Sequence, residues 1–185
     1  MRYSSNHKAE TRRRIIGEAS RRFRKDGVEG TGLVPLMKAL GLTHGGFYAH
    51  FASKDALVQA SLEAAASQSF ERWPDPQDTE QLLAFVADYL SPKHRDEPGE
   101  GCALPTLSAE LGLRGAASET SNAIVARMAE RLEGCEVRGA SGDSGIVALA
   151  AMVGAITLAR AVADEATSDR ILEAVRAAIQ PPKGD

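Results

Sequence analysis

The sequence has few of the features that mark extracellular proteins and enzymes. Among its 185 residues are only two cysteines, Cys102 and Cys135, which lie too far apart for a CxxC site and are expected to be reduced in the cytosol. No P-loop, dinucleotide fingerprint or paired metal ligands occur, so we expect no cofactor and no bound metal. The N-terminus is polar and basic without an apolar core segment, which predicts no signal peptide and a cytoplasmic location.

Long hydrophobic runs are also missing. The longest uncharged stretch, residues 144–159, holds 16 residues and includes Gly, Ser and Thr. A membrane-spanning helix needs about 20 apolar residues, so this stretch is interpreted as a buried helix and no membrane partner is expected.

The tetrapeptide Gly142-Asp143-Ser144-Gly145 matches the sequence around a serine-protease nucleophile. A catalytic triad requires a histidine oriented by a carboxylate, and nothing places any of the four histidines near Ser144. The chain also has no β pattern. We therefore predict that the protein is not an enzyme and that Asp143 or Ser144 caps a helix.

Charge is unevenly distributed along the chain. Residues 1–58 contain 11 Lys and Arg against 5 Asp and Glu, whereas residues 59–185 contain 11 against 20. The first segment is therefore basic and the remainder acidic, although the whole chain carries only −3. A basic head on an acidic body is typical of a polyanion-binding module joined to a domain that does not bind the polyanion.

Apolar residues at helical spacing predict an all-α fold of nine helices. The expected helices cover residues 8–25, 33–40, a short stretch after Thr43, 54–70, 79–90, 104–111, 116–133, 143–164 and 168–179. Loops are expected at 93–101 and 134–142, and Ser168 is expected to cap the last helix.

The segment 41–57 combines a glycine turn, a very short helix and a capped third helix, which is the layout of a helix-turn-helix. Gly41 can adopt the positive φ of a sharp turn, and Thr43 and Ser53 can cap the helices that follow them. Three polar side chains then remain to face a phosphate backbone, namely those of Tyr48, His50 and Lys54.

This segment closely resembles the N-terminal domain of the TetR family of bacterial regulators. The resemblance covers about the first third of the chain and rests on Gly27, Thr31, Gly41, Thr43, Gly45, Tyr48, His50, Phe51 and Lys54. It implies a three-helix DNA-binding domain at residues 1–53 and a ligand-binding and dimerisation domain at 54–185. Repression is the family's usual outcome.

Contacts with operator DNA are expected from two groups of residues in this head. Phosphate contacts are expected from Arg12, Thr31, Tyr48, His50 and Lys54, and base contacts from Thr43, His44 and Tyr48. Gly45 belongs to the same site, where it and Gly46 lower the helical preference of the recognition helix by about 1–2 kcal/mol. Either this helix becomes firmer on DNA, or its backbone approaches the DNA closely.

The eighth predicted helix is apolar almost all round and therefore needs covering on every side. We expect a homodimer through a four-helix bundle, with Val147, Ala151, Gly154, Ala155, Leu158, Leu172, Val175 and Ile179 at the interface. The operator should then be a partial palindrome whose half-sites lie about 34–36 Å apart.

The helices between the head and the dimer helices imply a pocket for a small apolar or electrophilic effector. Its expected lining is Phe70, Trp73, Phe85, Tyr89, Cys102, Leu104, Leu107 and Met128. Cys102 precedes a predicted helix, whose field can lower a thiol pKa, and the alternative is that Cys102 is an inert, small core residue. The alternative is a DNA-binding adaptor controlled by a protein partner. A closed apolar cavity would favour the sensor, and a filled core with an exposed apolar patch would favour the adaptor.

Overall fold

The computed structural model describes residues 2–137 and 142–180, and over these residues the fold is all-α as expected. The helices are α1 (Arg2–Gly30), α2 (Leu33–Ala39), α3 (His44–Phe47), α4 (Lys54–Arg72), α5 (Thr79–Tyr89), α6 (Pro92–Asp96), α7 (Leu104–Leu113), α8 (Glu119–Glu130), α9 (Ser144–Ala161) and α10 (Glu165–Ala178). A 3₁₀ turn lies at Pro98–Glu100, and strands β1 (Glu136–Val137) and β2 (Ile179–Gln180) pair antiparallel.

The head of the molecule is formed by α1, α2 and α3. Ile15, Ala19 and Phe23 share one face of α1 and are fully buried. Gly27 has φ 75° and interrupts the helical conformation near the end of α1, which confirms that the first helix proper ends there.

The turn between α2 and α3 follows the predicted chemistry. Gly41 has φ 70°, and the Thr43 hydroxyl accepts the Gly46 N–H at 3.2 Å. Phe47 is fully buried and stacks on Phe51, with 5.6 Å between ring centroids. These contacts hold the four-residue helix α3 against the head.

The long helix α4 connects the head to the body. Ser53 caps it by accepting the Ala56 N–H at 3.1 Å, as predicted. Leu57, Val58 and Leu62 are buried on its inner face, and α4 packs along α1. The helix ends at Arg72, because proline follows two residues later and again two residues after that.

The expectation of nine helices and of a loop at 93–101 was wrong, because the described residues contain ten α-helices. Ser91 caps α6 by accepting the His94 N–H at 3.2 Å, and Pro92 occupies the first helical position, where no N–H is needed. The other predicted loop, 134–142, contains β1, and residues 138–141 lie outside the described residues.

Two predicted helix caps were also wrong. Asp164 caps α10 by accepting the Thr167 N–H at 2.8 Å, whereas Ser168 is buried and donates its hydroxyl to the Ala159 carbonyl. At α9, Asp143 stands at the cap position with φ 30° and makes no side-chain cap bond. The Ser144 hydroxyl donates to the Glu133 carbonyl at 3.2 Å, so it holds the start of α9 against the end of α8.

Helix α9 passes a length and composition test for a membrane span, with a mean hydropathy of 1.7. Within one protomer, 39% of this helix is buried. A core helix of a water-soluble fold passes the same test, so the feature is weak evidence for a membrane.

Candidate DNA-binding site and effector region

The base-reading candidates lie together on the surface of the head. Thr43, His44 and Gly45 are exposed, and Tyr48 is 60% exposed. The Tyr48 ring makes T-shaped contacts with the rings of His44 and Phe47, with 5.8 and 5.2 Å between ring centroids. The buried Phe47 therefore orients an exposed Tyr48, which is the arrangement a recognition helix requires.

A cationic flank borders this surface on the α1 side. The Arg12 guanidinium lies 4.6 Å from the centroid of the Phe51 ring, which orients an exposed charge. His50 is half-buried nearby. Burial, together with the charges of Lys8, Arg12 and His7, lowers the pKa of His50.

Two of the predicted phosphate-binding residues have structural roles in the head. Thr31 is 3% exposed, and its hydroxyl donates to the Gly27 carbonyl at 2.7 Å, so this hydroxyl does not face DNA as expected. The Lys54 ammonium donates to the Val28 carbonyl at 2.6 Å. Lys54 thereby caps the end of α1, and a phosphate contact would use its remaining protons.

The predicted dimer residues divide into two groups. Ala155, Leu172 and Ile179 are 2–3% exposed and pack inside the protomer, so their placement at the interface was wrong for this conformation. The others retain exposed surface: Val147, Ala151, Gly154, Leu158 and Val175. The four on α9 are spaced by four, three and four residues, which is the spacing of a helix-packing seam.

Buried polar contacts join the head to the body. Arg24 is 2% exposed and donates to the Gly101 carbonyl at 3.0 Å and to the Gln68 side chain at 2.8 Å. The Glu110 carboxylate accepts the Val28 N–H at 2.6 Å. Helix α1 is therefore bonded to both α4 and α7.

Comparison with known proteins identifies the head. Residues 15–61 match the family described as "Bacterial regulatory proteins, tetR family". Two Pseudomonas putida proteins, the HTH-type transcriptional regulator TtgR and the probable HTH-type transcriptional regulator ArpR, are each 46% identical over 55 residues. That match covers 30% of this chain and 26% of either relative. Over residues 15–61 the chain is therefore similar to the DNA-binding segment of the TetR family.

Solved structures extend the likeness in fold to nearly the whole chain. A TetR-family regulator from Cytophaga hutchinsonii has a TM-score of 0.69 at 24% identity, covering 92% of this chain and 94% of that one. The reduced form of E. coli NemR has a TM-score of 0.66 at 23% identity, covering 95% of this chain and 100% of that one. A TetR-family regulator from Agrobacterium tumefaciens has a TM-score of 0.70 at 19% identity, covering 94% of this chain and 99% of that one.

The body of the molecule brings most of the predicted effector residues into one packed core. Trp73, Phe85 and Tyr89 contact one another, with ring centroids 5.3–6.0 Å apart. The remaining buried members of the predicted set are each 1–6% exposed: Cys102, Leu104, Leu107 and Met128. These seven residues are therefore buried together in one hydrophobic core in this conformation.

His94 was not predicted from the sequence as a functional residue. Its side chain connects this core to the segment around Cys102. It is fully buried between Trp73 and Tyr89, with ring centroids at 5.2 and 4.6 Å. Its Nε2 accepts the Cys102 N–H at 3.0 Å, so Nδ1 carries the proton and donates to the Tyr89 carbonyl at 2.7 Å. Burial lowers the pKa of His94 to about 4, and the ring is neutral at pH 7.

Of the two interpretations of Cys102, the lowered thiol pKa was wrong, and the small core residue fits the structure. Burial raises the pKa of Cys102 and outweighs the Leu104 N–H, which acts in the opposite direction. Cys102 is 3% exposed. In this conformation the group is a buried thiol, and an electrophile would reach it only after local opening.

Phe70 is half-buried and packs against this core from its outer side. The guanidinium groups of Arg127 and Arg131 lie 4.1 and 4.5 Å from its ring centroid, and Asp75 pairs with both. A cleft of about 550 Å³ opens beside these arginines, between the turn before α5 and the end of α8. Another, of about 600 Å³, lies between Lys25, Arg95 and Arg160. None of the predicted effector residues lines either cleft.

Proposed function

We propose that the protein is a dimeric transcriptional repressor that leaves a palindromic operator when a small apolar or electrophilic molecule binds its body. The observation that carries the proposal is the exposed cluster of Thr43, His44 and Tyr48 on a capped helix-turn-helix beside a cationic flank. The two relatives that share this segment are named as HTH-type transcriptional regulators. Residues 1–53 would bind DNA, and residues 54–185 would dimerise and bind the effector.

The head–body contacts supply a physical route for this control. Arg114, at the end of α7, pairs with Asp55 at 2.9 Å and with Glu29 at 3.3 Å. Together with the Glu110 contact to Val28, these pairs fix α7 to the ends of α1 and α4. An effector that displaces α7 from α1 would shift the head, with a coupling free energy of about 1–3 kcal/mol.

An effector site in this core requires a conformational opening, because Trp73, Phe85 and Tyr89 are buried there in contact with one another. This packing is also the specific observation that favours the second candidate, a DNA-binding adaptor controlled by a protein partner. The two functions differ in what releases DNA. A small molecule releases it in the first, and only a protein does so in the second.

The test is fluorescence anisotropy of the purified protein on its own promoter-proximal DNA, over a salt series and with a panel of apolar and electrophilic compounds. We expect binding that weakens steeply with salt, because phosphate contacts release counterions. Release by one compound class supports the repressor. Salt-steep binding that no compound releases supports the adaptor, and absence of binding at every salt concentration contradicts both.

Tyr48 provides the variant for that assay. Tyr48→Ala should weaken operator binding by about tenfold or more, the effect of losing one contact worth about 1–3 kcal/mol. Tyr48→Phe keeps the ring and loses only the hydroxyl, so its operator affinity should lie between that of Tyr48→Ala and that of the wild type. Equal affinity of all three proteins would remove Tyr48 from the site.

The homodimer is tested by placing a charge on the exposed seam of α9. Leu158 is 59% exposed in the protomer, and Leu158→Glu should convert the dimer to a monomer in sedimentation velocity, because an unpaired carboxylate would be buried. Leu113→Glu is the matched control, since Leu113 is 91% exposed on α7 and should tolerate the change. A monomeric wild type, or a dimeric Leu158→Glu, would contradict this interface.

A further inference from the structure

The cleft of about 600 Å³ between α1, α6, α9 and α10 has the composition of a ligand site. We propose that it binds a small organic molecule with an apolar body and a single carboxylate group, held by Arg160 and Lys25. None of the residues of the predicted effector core lines this cleft. The proposal therefore adds a second ligand site and goes beyond the proposed function.

Arg160 contributes a partly buried guanidinium whose hydrogen-bond partners are all uncharged. Its Nε donates to the Arg95 carbonyl at 2.9 Å, and its Nη2 donates to the His94 carbonyl at 2.7 Å. Nη1 is buried and has no hydrogen-bond partner among the described residues, and the group forms no ion pair there. Leaving a buried charged donor unpaired costs free energy, so an anion in the cleft would supply both the missing acceptor and the missing counter-charge.

The other charged groups of the lining favour a ligand with one negative charge. The Lys25 ammonium borders the cleft from α1 and has no ion pair within the described part of the chain. Arg95 is already paired, with Asp96 at 2.7 Å and with Asp169 at 2.6 Å. Asp96 and Glu165 both line the cleft and would repel a doubly charged ligand. One carboxylate therefore suits the site better than a phosphate dianion.

Hydrogen bonds between helices hold the walls of the cleft in place. The Thr106 hydroxyl donates to the Arg24 carbonyl at 2.7 Å and connects α7 to α1. The Ser168 hydroxyl donates to the Ala159 carbonyl at 2.8 Å and connects α10 to α9, while Arg160 connects α9 to α6. The cleft is therefore formed before a ligand binds, as is usual for small-molecule sites. An apolar ligand body would contact the apolar part of the lining: Pro98, Ala159, Val162 and Ala163.

The first experiment is an NMR titration of the full-length protein, without DNA, with benzoate at millimolar concentration. We expect benzoate to shift the Nε signal of Arg160 and the amide signals of Asp96, Thr106 and Ala163. Benzamide has the same ring without the charge and should bind about tenfold more weakly or worse. Phenyl phosphate should also bind more weakly than benzoate, because it carries a second charge. Absence of these shifts with benzoate, or binding of either analogue as tight as that of benzoate, would overturn the proposal.

Three variants locate the bound carboxylate. Arg160→Gln should weaken benzoate binding by about tenfold or more, the effect of losing a charged hydrogen bond. Arg160 also holds α6, so Lys25→Gln supplies a change at an exposed position that should leave the fold intact and weaken binding by about two- to fivefold. Lys38→Gln makes the same change of charge at an exposed position of α2 and should bind like the wild type.

Wild-type affinity in Lys25→Gln or in folded Arg160→Gln, or equal weakening in Lys38→Gln and Lys25→Gln, would overturn the assignment of the cleft. Because no DNA is present in these titrations, their outcome is independent of whether the protein binds an operator.

Discussion

Replacing His94 with alanine should lower the free energy of unfolding by about 3 kcal/mol, the loss expected for a buried ring that also makes hydrogen bonds. The ring is fully buried and connects two parts of the chain, because it accepts from the Cys102 N–H and donates to the Tyr89 carbonyl. The packing is so close that a Cβ on Gly101 would lie 2.3 Å from the ring. Urea unfolding at pH 7.5, followed by circular dichroism, measures the loss.

The same histidine should make the wild type sensitive to mild acid. Its pKa is about 4 in the folded protein and about 6.5 in the unfolded chain, so the unfolded state takes up the proton first. The stability that the neutral ring contributes is fully present above pH 6.5 and is lost as the pH falls towards 4. At pH 5 this loss amounts to about 2 kcal/mol.

The control for both experiments is His7→Ala, which removes an exposed imidazole from α1. It should unfold like the wild type at pH 7.5 and lose stability in the same way between pH 7 and pH 5. His94→Ala should lose much less over that interval, retaining only the smaller contribution of His50, whose pKa is lowered in the same direction. Equal acid sensitivity in the wild type and in His94→Ala would show that His94 is not the titrating group.

Replacing Gly145 with alanine should destabilise the protein by about 3 kcal/mol, because overpacking at this position forces two helices apart. Gly145 is buried in the first turn of α9, where a Cβ would lie 2.2 Å from the Ala129 carbonyl oxygen and 3.2 Å from the Glu133 backbone nitrogen. These are backbone atoms, so no side-chain rotation relieves the clash. Thermal unfolding of the wild type and of Gly145→Ala at pH 7.5 measures this loss of stability.

Gly17→Ala is the matched control for that variant. Gly17 lies in the middle of α1, and apart from its own neighbouring stretch of helix no atom lies within 4 Å of the position its Cβ would take. The same substitution should therefore stabilise the protein, by about 0.5–1 kcal/mol, through helix propensity alone. Opposite signs at the two positions support close packing of α8 against α9, whereas stabilisation by both would contradict it.

The head could be predicted from the sequence because local chemistry determines its geometry. The positive φ of Gly41 and the caps by Thr43 and Ser53 depend on residues within a few positions of one another. The buried and exposed faces of α3 follow in the same way, since Phe47 and Tyr48 are neighbours on a helix of known pitch. The predicted phosphate contacts remain predictions, apart from the Thr31 hydroxyl, which is buried.

The body was predicted less well because its key contacts join residues distant in sequence. His94 lay in a segment whose Pro, Gly and charged residues indicated a loop, and its partner Cys102 is contributed by another segment. Likewise, Leu172 and Ile179 follow a helical apolar pattern that cannot distinguish packing within a protomer from packing between protomers. Composition alone also could not show that burial raises the pKa of Cys102.

The most direct test of the central claim is a hydroxyl-radical footprint of the full-length protein on its own promoter-proximal DNA, with Tyr48→Ala alongside. We expect two protected half-sites of related, inverted sequence centred about 34–36 Å apart, and the loss of both in the variant at the same protein concentration. A single protected site, or protection that Tyr48→Ala leaves unchanged, would contradict a dimer that reads DNA through this surface.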